Sequence, residues 1–123
     1  MQGTEGAVAL VTGGGSGIGA ELVTKLSGGG ASVLAADVDG DGLAGVAAAT
    51  GCRTRVVDVT DPDDNEAMVA DVVGEFGGLD LAFLNAGILG RPITDQGSPY
   101  GAGHLDLARY RAVMAVNVDG VVY

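Results

Sequence analysis

The sequence contains one cysteine, Cys52, and one histidine, His104. A lone thiol closes no internal disulfide, and without a His/Cys cluster no metal site is expected. Tryptophan is absent, and the aromatics amount to two Phe and three Tyr, so a core has to be built from Val, Ala, Leu and Ile. The single lysine, Lys25, stands outside any Gly-Lys-Ser/Thr context, which excludes a P-loop. Basic residues are scarce as a class: six face 16 Asp and Glu, for a net charge of −10. Such a surface repels nucleic-acid phosphates and anionic lipid, so neither nucleic acid nor membrane is an expected partner. It does not exclude a phosphate-bearing small molecule, which backbone N–H groups can hold without Lys or Arg. No apolar run approaches membrane-spanning length. Residues 1–6 carry no basic segment, and the apolar run at 7–11 is too short for a signal peptide, so a cytoplasmic location is expected.

What is present is apolar and glycine-rich. Hydrophobic residues make up 47% and charged residues 18%, a balance that folds, and the length suits one domain. The 23 glycines follow no every-third-residue period and cluster where turns are expected. Residues 7–11 form an unbroken apolar run between glycines, as in a strand buried on both faces. Ile18, Leu22, Val23 and Leu26 follow at helical spacing, ended by Gly28 to Gly30. Residues 32–36 read as a second strand, 43–49 as a short helix and 53–59 as a third strand. Asp61-Pro62-Asp63-Asp64 opens a helix: Asp61 caps it, Pro62 fits its first turn, and the carboxylates face the positive end of its dipole. Its apolar face is expected from Met68, Val69, Val72, Val73 and Phe76, with Gly77-Gly78 as the stop. Residues 79–84 read as a fourth strand, 88–103 as a long loop and 105 onward as a last helix. Strands alternating with helices predict an α/β fold, a Rossmann-type doubly wound parallel sheet of about four strands.

The chemistry gathers at strand ends. The first strand runs into Thr12-Gly13-Gly14-Gly15-Ser16-Gly17-Ile18-Gly19 and then into a helix. Glycines suit a tight turn, a pyrophosphate lying against the main chain, and a helix packed close to the strand. The helix N-terminus adds free N–H groups and partial positive charge. Gly15, Gly17 and Ala20 also fit a relaxed G-x-G-x-x-A pattern, a weak signal alone. Asp37 closes the second strand 18 residues after Gly19, where a dinucleotide site places the acid that binds ribose hydroxyls. It would repel a 2′-phosphate, and Ser16, Val38 and Asp39 offer no compensating base, so the expected cofactor is NAD rather than NADP.

Thr12-Gly13-x-x-x-Gly17-x-Gly19 resembles the glycine motif of the short-chain dehydrogenases/reductases. Three further segments resemble that family in order. Asp58-Val59 stands at the third strand's end, Asn85-Ala86-Gly87 at the fourth strand's end, and Asn117 within Val116-Asn117-Val118 on the last helix. The resemblance covers essentially the whole chain. It implies that Gly13, Ser16, Gly17, Ile18 and Gly19 line the pyrophosphate, that Asp37 fixes the adenosine ribose, and that Asp58 and Val59 hold adenine. It places Asn85, Ala86 and Gly87 beside the nicotinamide ribose and makes Asn117 the catalytic asparagine that orders a proton-relay water. It also implies the sheet order 3-2-1-4-5-6-7, a small alcohol or carbonyl substrate, and a homo-oligomer for the full-length protein. The residues alone leave other readings open: Asp58 as a turn residue before the Asp61 cap, Asn85 as a satisfied polar group at a strand end, Asn117 as a polar helix residue.

One part of the family pattern is not found. Members carry a catalytic Ser and a Tyr-x-x-x-Lys pair after the asparagine, the Tyr moving a proton while hydride moves to or from nicotinamide. Four residues after Tyr100 and Tyr110 stand His104 and Met114, and Tyr123 is the final residue. Residues 1–123 are therefore expected to form an NAD-binding Rossmann domain truncated before those residues, inactive alone. The competing reading is a non-catalytic NAD-binding or regulatory module.

Overall fold

The structure, a computed structural model, describes residues 3–87. The expected loop at 88–103, the helix from 105, and with them Tyr100, His104 and Asn117 lie outside the described residues.

The elements alternate as expected: β1 (Val8–Thr12), α1 (Gly17–Gly28), β2 (Ser32–Asp37), α2 (Gly40–Thr50), β3 (Arg53–Val56), α3 (Pro62–Phe76) and β4 (Leu81–Leu84). The strands form one parallel sheet in the order β3-β2-β1-β4. Parallel pairing needs crossover connections, which α1, α2 and α3 supply. The register brings Thr12 opposite Ala36 and Leu84, and Asp37 opposite Val56. The carboxyl ends of all four strands therefore lie along one edge of the sheet, and the segments that follow them gather there.

Two cores form because successive strand residues point to opposite faces. Ala9, Val11, Val33 and Ala35 pack with Val23 and Leu26 of α1 and Leu43 of α2. Leu10, Leu34 and Ala36 pack on the other face with Met68 and Val72 of α3 and with Val57 and Val59. β1 and β2 are thus covered on both faces, which is why they read as unbroken apolar runs. β3, at the sheet margin, is only four residues long and carries Arg53 and Arg55, which pair with Glu75 and Asp71 of α3. Short, charged edge strands resist pairing with other chains.

Several boundaries differ from the sequence expectation, and side chains that bond to backbone explain most of them. β3 ends at Val56 rather than at residue 59, so Asp58 does not close a strand. Asp58 Oδ1 accepts from both the N–H and the hydroxyl of Thr60, and this local turn draws the backbone off the ladder. α2 begins at Gly40, earlier than the apolar pattern suggests, because Asp39 caps it by accepting from the Gly42 N–H. β4 begins at Leu81, since the Asp80 carboxylate and N–H both bond to the main chain of Val8. The expected helix faces narrow as well: Val69 and Val73 stay about half exposed, and Ile18 is 79% exposed rather than part of the α1 core face.

Candidate dinucleotide site

The α1 N-terminus is the first component. Asp39 and Asp61 cap α2 and α3, and the first turns of those helices hold Asp41 and the pair Asp63 and Asp64. α1 differs: Ser16 makes no side-chain cap, and its first turn holds no acidic residue. Among the described residues, no capping side chain or first-turn carboxylate meets its partial positive charge and leading N–H groups. The junction of the preceding loop with α1 needs glycine at two places in particular, one in the loop and one in the helix's first turn. Gly13 has φ +68°, a left-handed conformation, and a Cβ there would come within 3.0 Å of the Ala86 backbone. A Cβ on Gly19 would sit 2.0 Å from the Gly13 carbonyl oxygen and 2.7 Å from Asn85 Nδ2. Gly19 is buried and lets α1 seat directly on the β1 end, while Gly17 and Ile18 lie exposed at the helix start.

The second component is Asp37, the last residue of β2. Its Oδ2 accepts from the Gly15 N–H at 2.9 Å and its Oδ1 from the Asp39 N–H at 3.1 Å. The carboxylate is thereby oriented by the glycine loop on one side and by the α2 cap on the other.

The third component follows β3. Val57 and Val59 turn inward, and Asp58 between them is exposed. Hydrogen bonds from the Thr60 hydroxyl, at 2.6 Å, and then from the Thr60 N–H, at 2.9 Å, hold the Asp58 carboxyl below its ordinary value. The Asp58 N–H donates to Asp64 of α3. The Asn65 side chain, 7% exposed, donates to the Val59 carbonyl oxygen at 2.8 Å, so α3 fixes this wall from within.

The fourth component follows β4. The Thr12 hydroxyl, at the end of β1, accepts from the Ala86 N–H at 3.1 Å and donates to the Phe83 carbonyl oxygen at 3.4 Å. Asn85 Nδ2 donates to the Gly13 carbonyl oxygen at 3.4 Å. These contacts lace Asn85 and Ala86 to the end of β1 and the glycine loop.

All four components border one open cleft of about 240 Å³, lined by Gly13, Ser16, Ala36, Asp37, Val38, Val57, Asp58, Val59, Asn85, Ala86 and Gly87. Of the residues expected at a cofactor site, Gly13, Ser16, Asp37, Asp58, Val59, Asn85, Ala86 and Gly87 meet in its wall. Gly17 and Ile18 adjoin it along the chain, and Gly19 packs beneath it. Sequence reasoning did not assign roles to Thr12, Thr60 or Asn65. Only Asn65 left a signal: a polar residue at helical spacing with the buried Met68 and Val72. No Lys or Arg lines the wall, and no group of His, Cys, Asp and Glu able to hold a metal occurs among the described residues. No described helix is long and apolar enough to cross a membrane.

A parallel sheet whose central strands are covered on both faces, with a glycine loop, an uncapped helix and a strand-end acid at its carboxyl edge, has the form of the doubly wound folds that bind dinucleotides. The sequence model of the short chain dehydrogenases matches residues 7–123, and the chain belongs to that family. A 2,5-dichloro-2,5-cyclohexadiene-1,4-diol dehydrogenase of Sphingobium indicum is 37% identical over 98% of this chain and 46% of its own length. A cyclohexanol dehydrogenase of Acinetobacter sp. (strain SE19) is 36% identical over 94% of this chain and 45% of its own. The solved structure of a Brucella melitensis 3-ketoacyl-(acyl-carrier-protein) reductase complexed with NADH superimposes with a TM-score of 0.84 at 32% identity, covering 96% of this chain and 46% of that one. The chain thus spans about half the length of the relatives it matches.

Proposed function

We propose that this chain is the cofactor-binding part of an NAD-dependent short-chain oxidoreductase that moves hydride between an alcohol or ketone and nicotinamide. One observation carries the reading: the α1 N-terminus, which among the described residues has no side-chain cap and no first-turn carboxylate, adjoins the cleft that Ser16 and Asp37 both line. The α1 amides suit a pyrophosphate, and Gly13 and Gly19 allow the close backbone approach it needs. Gly13, Ser16, Gly17, Ile18 and Gly19 hold that group. Asp37, already oriented by two N–H groups, accepts hydrogen bonds from the adenosine ribose hydroxyls. Asp58 and Val59 hold adenine. Asn85, Ala86 and Gly87 stand beside the nicotinamide ribose, and Asn117 orders the relay water.

The preference for NAD follows from charge. A 2′-phosphate would meet Asp37 with Asp39 close by and, among the described residues, no cation in the cleft wall. Among the described residues Arg53 and Arg55 are already paired with Glu75 and Asp71 of α3. When bound, the nicotinamide supplies or takes up the hydride. The proton is moved by a Tyr of the family's Tyr-x-x-x-Lys pair, which residues 1–123 do not contain. Calorimetric titration of the full-length protein with NADH and NADPH, followed by turnover assays on cyclic and acyclic alcohols and their ketones, tests the reading. NADH binding with alcohol turnover is expected. Failure to bind either nucleotide would overturn it, and NADH binding without turnover of any alcohol or ketone would favour a regulatory module.

A further inference from the structure

Gly42 lies in the first turn of α2 and belongs to none of the segments the family motifs single out. Its surroundings set it apart from Gly40 and Gly45, the other glycines of that helix. A Cβ built on Gly42 would fall 2.5 Å from the Gly15 carbonyl oxygen and 2.8 Å from Asp39 Oδ2. A Cβ on Gly45, three residues on, would meet nothing within 4 Å. The Gly42 N–H also donates to Asp39 Oδ1 at 3.1 Å.

The two residues that press on Gly42 are the two that hold Asp37. Gly15 donates its N–H to one oxygen of the Asp37 carboxylate and Asp39 donates its N–H to the other. Gly15, Asp37, Asp39 and Gly42 therefore close a ring of contacts between the glycine loop, the β2 end and the α2 cap. The Gly15 contact is to backbone, which cannot swing aside as a side-chain tip would. A methyl group at position 42 has to part the loop from the cap, and that motion draws the two N–H donors away from the carboxylate between them.

We propose that Gly42 is a positioning residue for Asp37, and through it a determinant of the choice between NAD and NADP. The inference rests on the dinucleotide reading of the cleft. Asp37 discriminates only while its carboxylate is held where the ribose 2′ position arrives. Loosening the ring weakens the cofactor with a free 2′-hydroxyl and relieves the one with a phosphate there.

The test compares Gly42→Ala with Gly45→Ala in the full-length protein. Both substitutions raise helix propensity, so a difference between them isolates the ring. NADH and NADPH affinities are measured by calorimetry for the unmodified protein and both variants. G42A is expected to lose roughly tenfold in NADH affinity, the worth of one hydrogen bond to a charged acceptor, and to narrow the NADH-to-NADPH ratio by a similar factor. G45A is expected to leave both unchanged. A merely structural role would weaken both nucleotides equally, so an unchanged ratio in G42A overturns the proposal. If the unmodified protein binds neither nucleotide, the dinucleotide reading itself has failed. Amide hydrogen exchange on the unmodified, ligand-free protein provides a measurement that does not depend on the variant folding. Protection at Gly15 and Asp39 comparable to that inside α2 is expected, and exchange at the rate of an open loop would overturn the ring.

Discussion

Asn65 is the polar member of the buried stripe of α3, and replacing it tests how the adenine side of the cleft is held. Its Nδ2 donates to the Val59 carbonyl oxygen at 2.8 Å, in a position 7% exposed. Asn65→Ala removes the donor and leaves the carbonyl in a place water reaches poorly. Such a loss costs about 1–3 kcal/mol, several times the effect of an ordinary surface substitution. Asn65→Leu separates hydrogen bonding from packing, because it restores volume without a donor. If the bond matters, Leu rescues little. Asn65→Asp turns a donor into an acceptor facing another acceptor, so it is expected to be the worst of the three near neutral pH. Its deficit should shrink on acidification, because a protonated carboxyl can donate again. Equilibrium urea unfolding of the full-length variants gives the differences, with an unchanged slope showing that the compared states are the same. NADH affinity should fall alongside stability, since Val59 walls the cleft. A Leu variant as stable as the unmodified protein would show that the hydrogen bond contributes nothing and reduce Asn65 to a space filler.

Gly19→Ala forces a methyl group against the Gly13 carbonyl oxygen and should cost roughly 1–3 kcal/mol by overpacking while abolishing NADH binding. Gly28→Ala, at the far end of the same helix with nothing within 4 Å, should lie within about 0.5 kcal/mol of the unmodified protein, both read by urea unfolding and calorimetry. Asp37→Ala combined with Val38→Arg should shift nucleotide preference toward NADP, read as the ratio of dissociation constants. Thr60→Val removes the first hydrogen bond to Asp58, and side-chain NMR titration should show that carboxyl rising toward its ordinary value of 3.8. Because the folded-state value is depressed, Asp58 adds stability above 3.8 that is lost as pH falls through the lower folded value. The Val variant should therefore lose part of that acid-range dependence, while the exposure of Asp58 keeps the effect small.

The order of elements was legible because each strand buried on two faces reads as a short apolar run, and each helix carries its own start or stop. Asp61-Pro62 and Gly77 bound α3 as expected, with Gly77 at φ +83°. Strand ends were less legible, because single side chains decide them. Asp58 leaves the ladder to bond Thr60, Asp39 starts α2 early, and Asp80 holds the main chain of Val8 just before β4. None of these choices shows in apolar periodicity. Ile18 misled for a related reason: it keeps helical spacing with Leu22 and Leu26, yet it stands at the uncapped end of α1, past the core. The candidate site was legible where chemistry needs a particular residue type, as at Gly13, Gly19 and Asp37. Its supports were not, since Thr12 and Thr60 act through hydroxyl contacts that only the fold brings about.

Amide chemical-shift mapping of the full-length protein with NADH tests the central claim most directly. The largest changes are expected on Gly13 to Gly19, Asp37, Asp58, Val59 and residues 85–87, at the carboxyl edge of the sheet, with NADPH producing weaker changes at higher concentration. Changes confined to another part of the surface, or tighter binding of NADPH through the same residues, would contradict that claim.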